Sequence, residues 1–172
     1  EWETWDSQVP EQSIKAEQVG RSDVVITTSD TLRHVDTLTG WLVQRKPLIL
    51  CGPPGSGKSM TMMSTLREHP DLDCVALNFS SSTNPELIMT VMEQYCVCET
   101  APGGKGMIMK PRSPGKWVVM FCDECNLPAA DDYGTQMVIS FIRGLVEKGG
   151  YWRPSDAQWI KLERIQFLGA CN

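Results

Sequence analysis

The sequence predicts an α/β fold in which a parallel β-sheet is flanked by helices on both faces. Three observations carry that prediction. Four runs, "PLILCG", "DCVALNFS", "WVVMFCDE" and "RIQFLGACN", are apolar nearly throughout, the pattern of strands covered on two sides. The segments between them place apolar residues at helical spacing, so strand and helix alternate along the chain. A glycine-rich turn joins the first run directly to a helical pattern. With 172 residues, 41% apolar and 22% charged, the chain is long enough for one well-buried core.

Residues 1–28 show no clear periodicity and read as a linker or extended lead-in. "SDTLRHVDTLTGWL" then puts Val35, Leu38, Trp41 and Leu42 on one helical face, with Ser29 or Asp30 as the expected cap and Pro47 ending the segment. "PLILCG" is the first strand. A helix from Gly57 to about His69 is expected to bury Met60, Met63 and Leu66 before Pro70 stops it. "DCVALNFS" is the second strand. In "STNPELIMTVMEQY", Thr83 and Glu86 fit a capping box, and Leu87, Ile88, Val91, Met92 and Tyr95 form the apolar stripe. "WVVMFCDE" is the third strand, apolar until two acids at its end. "YGTQMVISFIRGLVEK" is a helix burying Val138, Phe141, Ile142 and Leu145, and "RIQFLGACN" is the fourth strand. Two segments break the rhythm. Residues 98–116 and 149–164 mix turn residues with short extended stretches and read as hairpin-like insertions, with Trp152 facing Trp159 across the second.

Composition narrows the partners. A net charge of −5 argues against nucleic acid, which favours a basic face. No apolar run reaches the roughly 18 residues that a membrane helix needs, and the acidic opening "EWETWDSQVP" is unlike a secretory signal. Of seven cysteines, Cys51, Cys74, Cys122 and Cys171 sit in or beside strand-like runs, where the thiol acts as a small hydrophobe; a reducing, cytoplasmic setting is expected. Cys122–Cys125 has C-x-x-C spacing, with Cys96 and Cys98 as conceivable partners for zinc. Against this, "CDEC" begins inside a buried strand and the second pair lacks ligand-like flanks. His34 and His69 read as surface or capping residues.

The chemistry concentrates in Gly52-Pro53-Pro54-Gly55-Ser56-Gly57-Lys58-Ser59, which matches G-x-x-x-x-G-K-[ST]. Glycines let successive backbone N–H groups turn inward around a phosphate with no Cβ in the way. The helix that follows, with Met60 in its first turn, aims its positive N-terminal end at the same anion. Lys58 would reach the β- and γ-phosphates and Ser59 would ligate Mg²⁺. In a parallel sheet, ligands gather at the carboxyl ends of strands. That rim should therefore unite the loop with Asp123 and Glu124 after the third strand and with Asn172 after the fourth. Asp123 is expected to hold Mg²⁺, Glu124 to orient and deprotonate water, and Asn172 to hydrogen-bond that water or the γ-phosphate. No N-K-x-D guanine signature is present, which leaves adenine, as ATP or ADP, the better base.

With these residues in place, the chain resembles the AAA+ ATPases, and within them the motor ring of dynein heavy chains, most closely the third AAA+ module of the cytoplasmic type. The stretches "SDVVITTSDTLRHVDTLTGWL", "KPLILCGPPGSGKSMTM", "LNFSSSTNPEL", "FCDECNLPAADDYGTQMVISFIRGLVEKGGYWR" and "KLERIQFLGACN" carry the likeness. The resemblance implies the large subdomain of such a module over residues 29–172, with a Walker A motif at Gly52 to Ser59, a Walker B pair at Asp123 and Glu124, and a sensor at Asn172. Val24, Val25, Ile26 and Thr27 would wrap the adenine. The family usually has an aliphatic residue at the place of Cys125 and often Thr at that of Ser59. A fifth strand and a small helical lid are expected beyond Asn172. The arginine finger would come from a neighbouring AAA+ module, so low turnover is expected of these 172 residues alone. Implied partners are the other modules of the heavy chain, the linker, further dynein subunits and, through a distant part of the polypeptide, microtubules. The implied role is Mg²⁺-dependent ATP hydrolysis whose nucleotide state gates microtubule release. The alternatives are a nucleotide-bound structural module with little hydrolysis, or a module of another dynein-related AAA+ remodelling ring.

Overall fold

The structure, a computed structural model, describes residues 3–11, 24, 26–104 and 106–172. In the lead-in it shows one 3-10 turn, Trp5–Gln8. Four helices follow: α1 (Ser29–Val43), α2 (Lys58–Arg67), α3 (Pro85–Tyr95) and α4 (Met137–Lys148). The strands are β1 (Leu48–Cys51), β2 (Leu72–Asn78), β3 (Cys96–Thr100), β4 (Met107–Pro111), β5 (Trp117–Asp123), β6 (Gly150–Arg153), β7 (Gln158–Leu162) and β8 (Ile165–Cys171).

β1, β8, β5 and β2 form a parallel four-stranded sheet in that order. Alternate residues of β5 enter opposite cores. Val119 and Phe121 pack with Leu38 and Leu42 of α1 and with Met62 and Leu66 of α2. Val118, Met120 and Cys122 pack with Ile88 and Met92 of α3 and with Val138 and Leu145 of α4. Both faces of the central strands are therefore dry, which is why their sequences do not alternate. The predicted α/β sheet with helices on two faces is the observed fold.

Several local expectations fail for identifiable reasons. β1 is not covered on both sides: it is an edge strand, and Ile49, 60% exposed, lines an apolar groove with β8 and α4. The cap of α1 is Thr28, whose Oγ1 accepts from the Thr31 N–H at 3.2 Å, one residue before the expected Ser29 or Asp30. The Thr83–Glu86 capping box gives way to Asn84, whose Oδ1 accepts from Leu87 N–H at 2.8 Å. Pro85 decides this, because the residue before proline is driven into extended backbone, the conformation a cap needs. Thr83 turns back instead and accepts from Ser80 N–H. In α2 the fully buried methionine is Met62; Met60 is 40% exposed, because the helix starts at Lys58 and sets Met62, Thr65 and Leu66 inward. On α1 and α3, Trp41, Leu87 and Tyr95 lie outside the buried stripe, which narrows to Leu38 with Leu42 and Ile88 with Met92. α4 begins at Met137 rather than Tyr133, since Asp131 Oδ1 accepts from the N–H groups of Tyr133 and Thr135 in a separate turn.

The two insertions are hairpins, β3 with β4 and β6 with β7, and Trp152 pairs with Trp159 at a ring separation of 5.5 Å. They are not separate. Met107–Met109 of β4 pair in parallel with Ile160–Leu162 of β7, joining them into a second sheet of order β3-β4-β7-β6. Met109, Tyr151 and Ile160 of this sheet share the core of α3 and α4.

Candidate functional site

Strand order places the chemistry. β1, β8 and β5 are neighbours, so the loop after β1, Asn172 after β8 and the acids ending β5 emerge side by side on one rim. The register fixes the heights: Cys51 lies opposite Cys171, and Gly169 opposite Cys122.

The loop from Gly52 to Gly57 has the backbone that its glycines permit. Gly55 and Gly57 have φ of 78° and 81°, the left-handed region where a side chain is strained. Gly57 is the residue from which α2 starts, and it has no side chain to cap the helix, so the first amides of α2 have no side-chain acceptor at the cap. At Gly52 a Cβ would stand 3.3 Å from Ser56 Oγ. Pro53, Pro54 and Ser56 lie on the exposed outer turn, with Ser56 N–H donating to Pro53 O. Ser59 sits half-buried in the first turn of α2, and Met60 is exposed beside it.

Lys58 curls over its own loop. Its Nζ donates to the carbonyls of Gly52 (2.7 Å) and Pro53 (3.0 Å) and to Asn172 Oδ1 (2.9 Å). No carboxylate pairs with it among the described residues, so an ammonium charge sits inside a glycine turn without a counter-ion. An anionic phosphate fits that arrangement. Asn172 then continues the chain of contacts, its Nδ2 donating to Glu124 Oε2 at 2.9 Å. A lysine opening α2, an amide following β8 and an acid following β5 are thus joined by two hydrogen bonds.

Glu124 takes φ of 54°, uncommon for a residue with a Cβ, a conformation shared by Arg45, Ala157 and Arg164 elsewhere in the chain. Its N–H donates to Asp123 Oδ1 at 3.0 Å, and Asp123 ends β5 opposite Asn78. Both acids are half-buried. One participant escaped the sequence reading. Asn126 Oδ1 accepts from the Asn172 backbone N–H at 3.2 Å and so orients the amide. Its only signal was proximity to the acid pair. Of the residues expected to wrap the adenine, Val24, Ile26 and Thr27 precede α1 without helix or strand structure, Ile26 being 60% exposed; Val25 falls outside the described residues. α1 shares its core with α2, so this lead-in and the phosphate loop are referenced to one packed unit.

A parallel sheet with a glycine phosphate loop, and an acid pair on the adjoining rim, defines a P-loop nucleotide-binding module. Comparison with known proteins sharpens this. The family described as "P-loop containing dynein motor region" matches residues 14–172, and the chain belongs to it. It is 55% identical over 99% of its length to the cytoplasmic dynein heavy chain of Dictyostelium discoideum. Identity is 54% over the whole chain to that of Neurospora crassa and 51% to that of Drosophila melanogaster. The chain spans 4% of the length of each of these relatives.

Proposed function

We propose that this module binds ATP, hydrolyses it with Mg²⁺, and serves as the third, regulatory AAA+ module of a cytoplasmic-type dynein heavy chain. Residues 29–172 would form its large subdomain and residues 1–28 the lead-in. The contact chain Lys58–Asn172–Glu124 carries the reading, because it brings the phosphate-binding cation within one amide of a general base. Phosphate entry draws Lys58 off the Gly52 and Pro53 carbonyls, while the loop amides and the start of α2 take the remaining oxygens. Asn172 is then free to hold the γ-phosphate or the attacking water, and Glu124 takes that water's proton. Ser59 and Asp123 supply the oxygens that would hold Mg²⁺, which offsets charge on the phosphates when bound.

Ile26 and its neighbours would cover the adenine. An arginine from the adjacent module completes the site and is worth on the order of 10³–10⁵ in rate in related phosphoryl-transfer enzymes. The nucleotide state passes through the linker and neighbouring modules to govern release from microtubules. The identity to cytoplasmic dynein heavy chains across this whole chain favours this role over another ring.

Glu124→Gln in the full-length heavy chain is the test. Hydrolysis at this module should fall by about 10²–10⁴, the usual contribution of a general base, with ATP retained and motility altered. Unchanged resident nucleotide and unchanged motility would refute the hydrolytic role.

A further inference from the structure

Nucleotide chemistry leaves one group of side chains on this rim unused. Cys51 closes β1 and Cys171 closes β8; they are register partners, and their sulfurs lie 3.1 Å apart. That is about 1 Å longer than a disulfide bond, and neighbouring strands keep Cα atoms within the span that a disulfide accepts. Cys51 is exposed and Cys171 half-buried behind it. Being the exposed member, Cys51 is the sulfur that meets an oxidant first; hydrogen bonding to Cys51, then burial, pushes the Cys171 thiol up to about 11. A third thiol, Cys125, also hydrogen-bonds to Cys171, but its Sγ donates to Ala170 O at 3.0 Å and it is not the register partner of Cys171, which is Cys51.

We propose that Cys51 and Cys171 are a reversible thiol-oxidation site that reacts with a hydroperoxide and holds the phosphate loop in its empty arrangement; the second half rests on the nucleotide-binding reading above. The chemistry balances with hydrogen peroxide as oxidant. Cys51 sulfur attacks one peroxide oxygen, the O–O bond breaks and water leaves, giving a sulfenic acid. Cys171 sulfur displaces the hydroxyl from that sulfur, the S–O bond breaks and a second water leaves. The two thiols have lost two protons and two electrons, and the peroxide has become two waters. A thiol such as glutathione reverses the bond by exchange.

Control follows from what comes next in each strand. Gly52 and Asn172 directly follow the two cysteines, and both hold Lys58 Nζ, at 2.7 and 2.9 Å. Gly52 N–H already donates to Cys171 O at 3.2 Å. A covalent link between the sulfurs fixes these two acceptors around the ammonium. Nucleotide binding needs Lys58 to leave them for phosphate, so the oxidised pair opposes it.

The test uses the full-length heavy chain, reduced and then titrated with hydrogen peroxide, its remaining thiols blocked before digestion without reductant. Mass spectrometry should find the Cys51 and Cys171 peptides linked and two hydrogens lighter than their sum. ATP retention at this module should fall about tenfold, equivalent to ~1.4 kcal/mol, recover with dithiothreitol and be insensitive to peroxide in Cys51→Ser. Oxidation of Cys51 without that link, or a link to Cys125 instead, overturns the site. A Cys51–Cys171 link that leaves ATP retention unchanged overturns the control. Retention in the reduced protein that is indifferent to Lys58→Ala would fault the nucleotide reading instead, and the mass of the linked peptides would still judge the disulfide.

Discussion

The two sheets of this chain are similar in strand number and opposite in use. In the parallel sheet the inner strands β5 and β8 are buried along almost their whole length, and Glu124 and Asn172 directly follow β5 and β8, where they meet Lys58 at the start of α2. The mixed sheet has one packed face, through Met109, Tyr151 and Ile160, and one open face, where Trp152 is 66% exposed. It places none of the site residues. Inner strands clamped on both faces hold their ends to the tolerance that a preorganised binding site requires. A sheet clamped on one face has a surface to spare for contact with other parts of a larger assembly.

Four substitutions sharpen that contrast, in order of expected size. Phe121→Ala, in the middle of β5, should cost about 4 kcal/mol in chemical denaturation and lower nucleotide affinity with it, since the cavity opens beneath the rim. Gly150→Ala in β6 should cost about 3 kcal/mol, because its Cβ would meet the Ile160 carbonyl and stand 2.7 Å from Trp159 Cζ2. Its effect on ATP retention should be slight; a large one would mean that the sheets are energetically one unit. Lys58→Ala should weaken ATP by about 10- to 100-fold, the loss of a charged hydrogen bond, with the melting temperature unchanged. Trp152→Ala should shift stability by less than about 1 kcal/mol, the scale of an exposed aromatic pair. Its larger effect should appear only in binding measurements with the intact ring.

The same contrast governs how much could be read in advance. β5 and β8 declare themselves because burial on both faces leaves nearly unbroken apolar runs, and the phosphate loop because its glycines are demanded by backbone shape. The rim was legible too, since the carboxyl ends of parallel strands must meet somewhere near the loop. What stayed hidden depends on partners distant in sequence. Nothing local to Met107–Met109 or Ile160–Leu162 announces that they pair, so the hairpins read as independent. The closeness of Cys51 to Cys171 needs the register across 120 residues. β1 looked enclosed because four apolar residues cannot reveal which edge of a sheet they occupy. Asn84 was hidden differently: the capping-box pattern at Thr83 competed with Pro85, and backbone geometry favoured the proline.

Asn172 has one further consequence. A carboxamide is polar end to end, and here its oxygen must face an ammonium while its nitrogen faces a carboxylate. Only one of its two rotational settings serves, so the residue works as a keyed connector rather than a spacer. Aspartate, the same shape with oxygen at both tips, would turn a rejected acceptor toward Glu124 and drive the acid off the rim. Alanine would merely break the link, and so the nearly isosteric exchange should be the more damaging of the two.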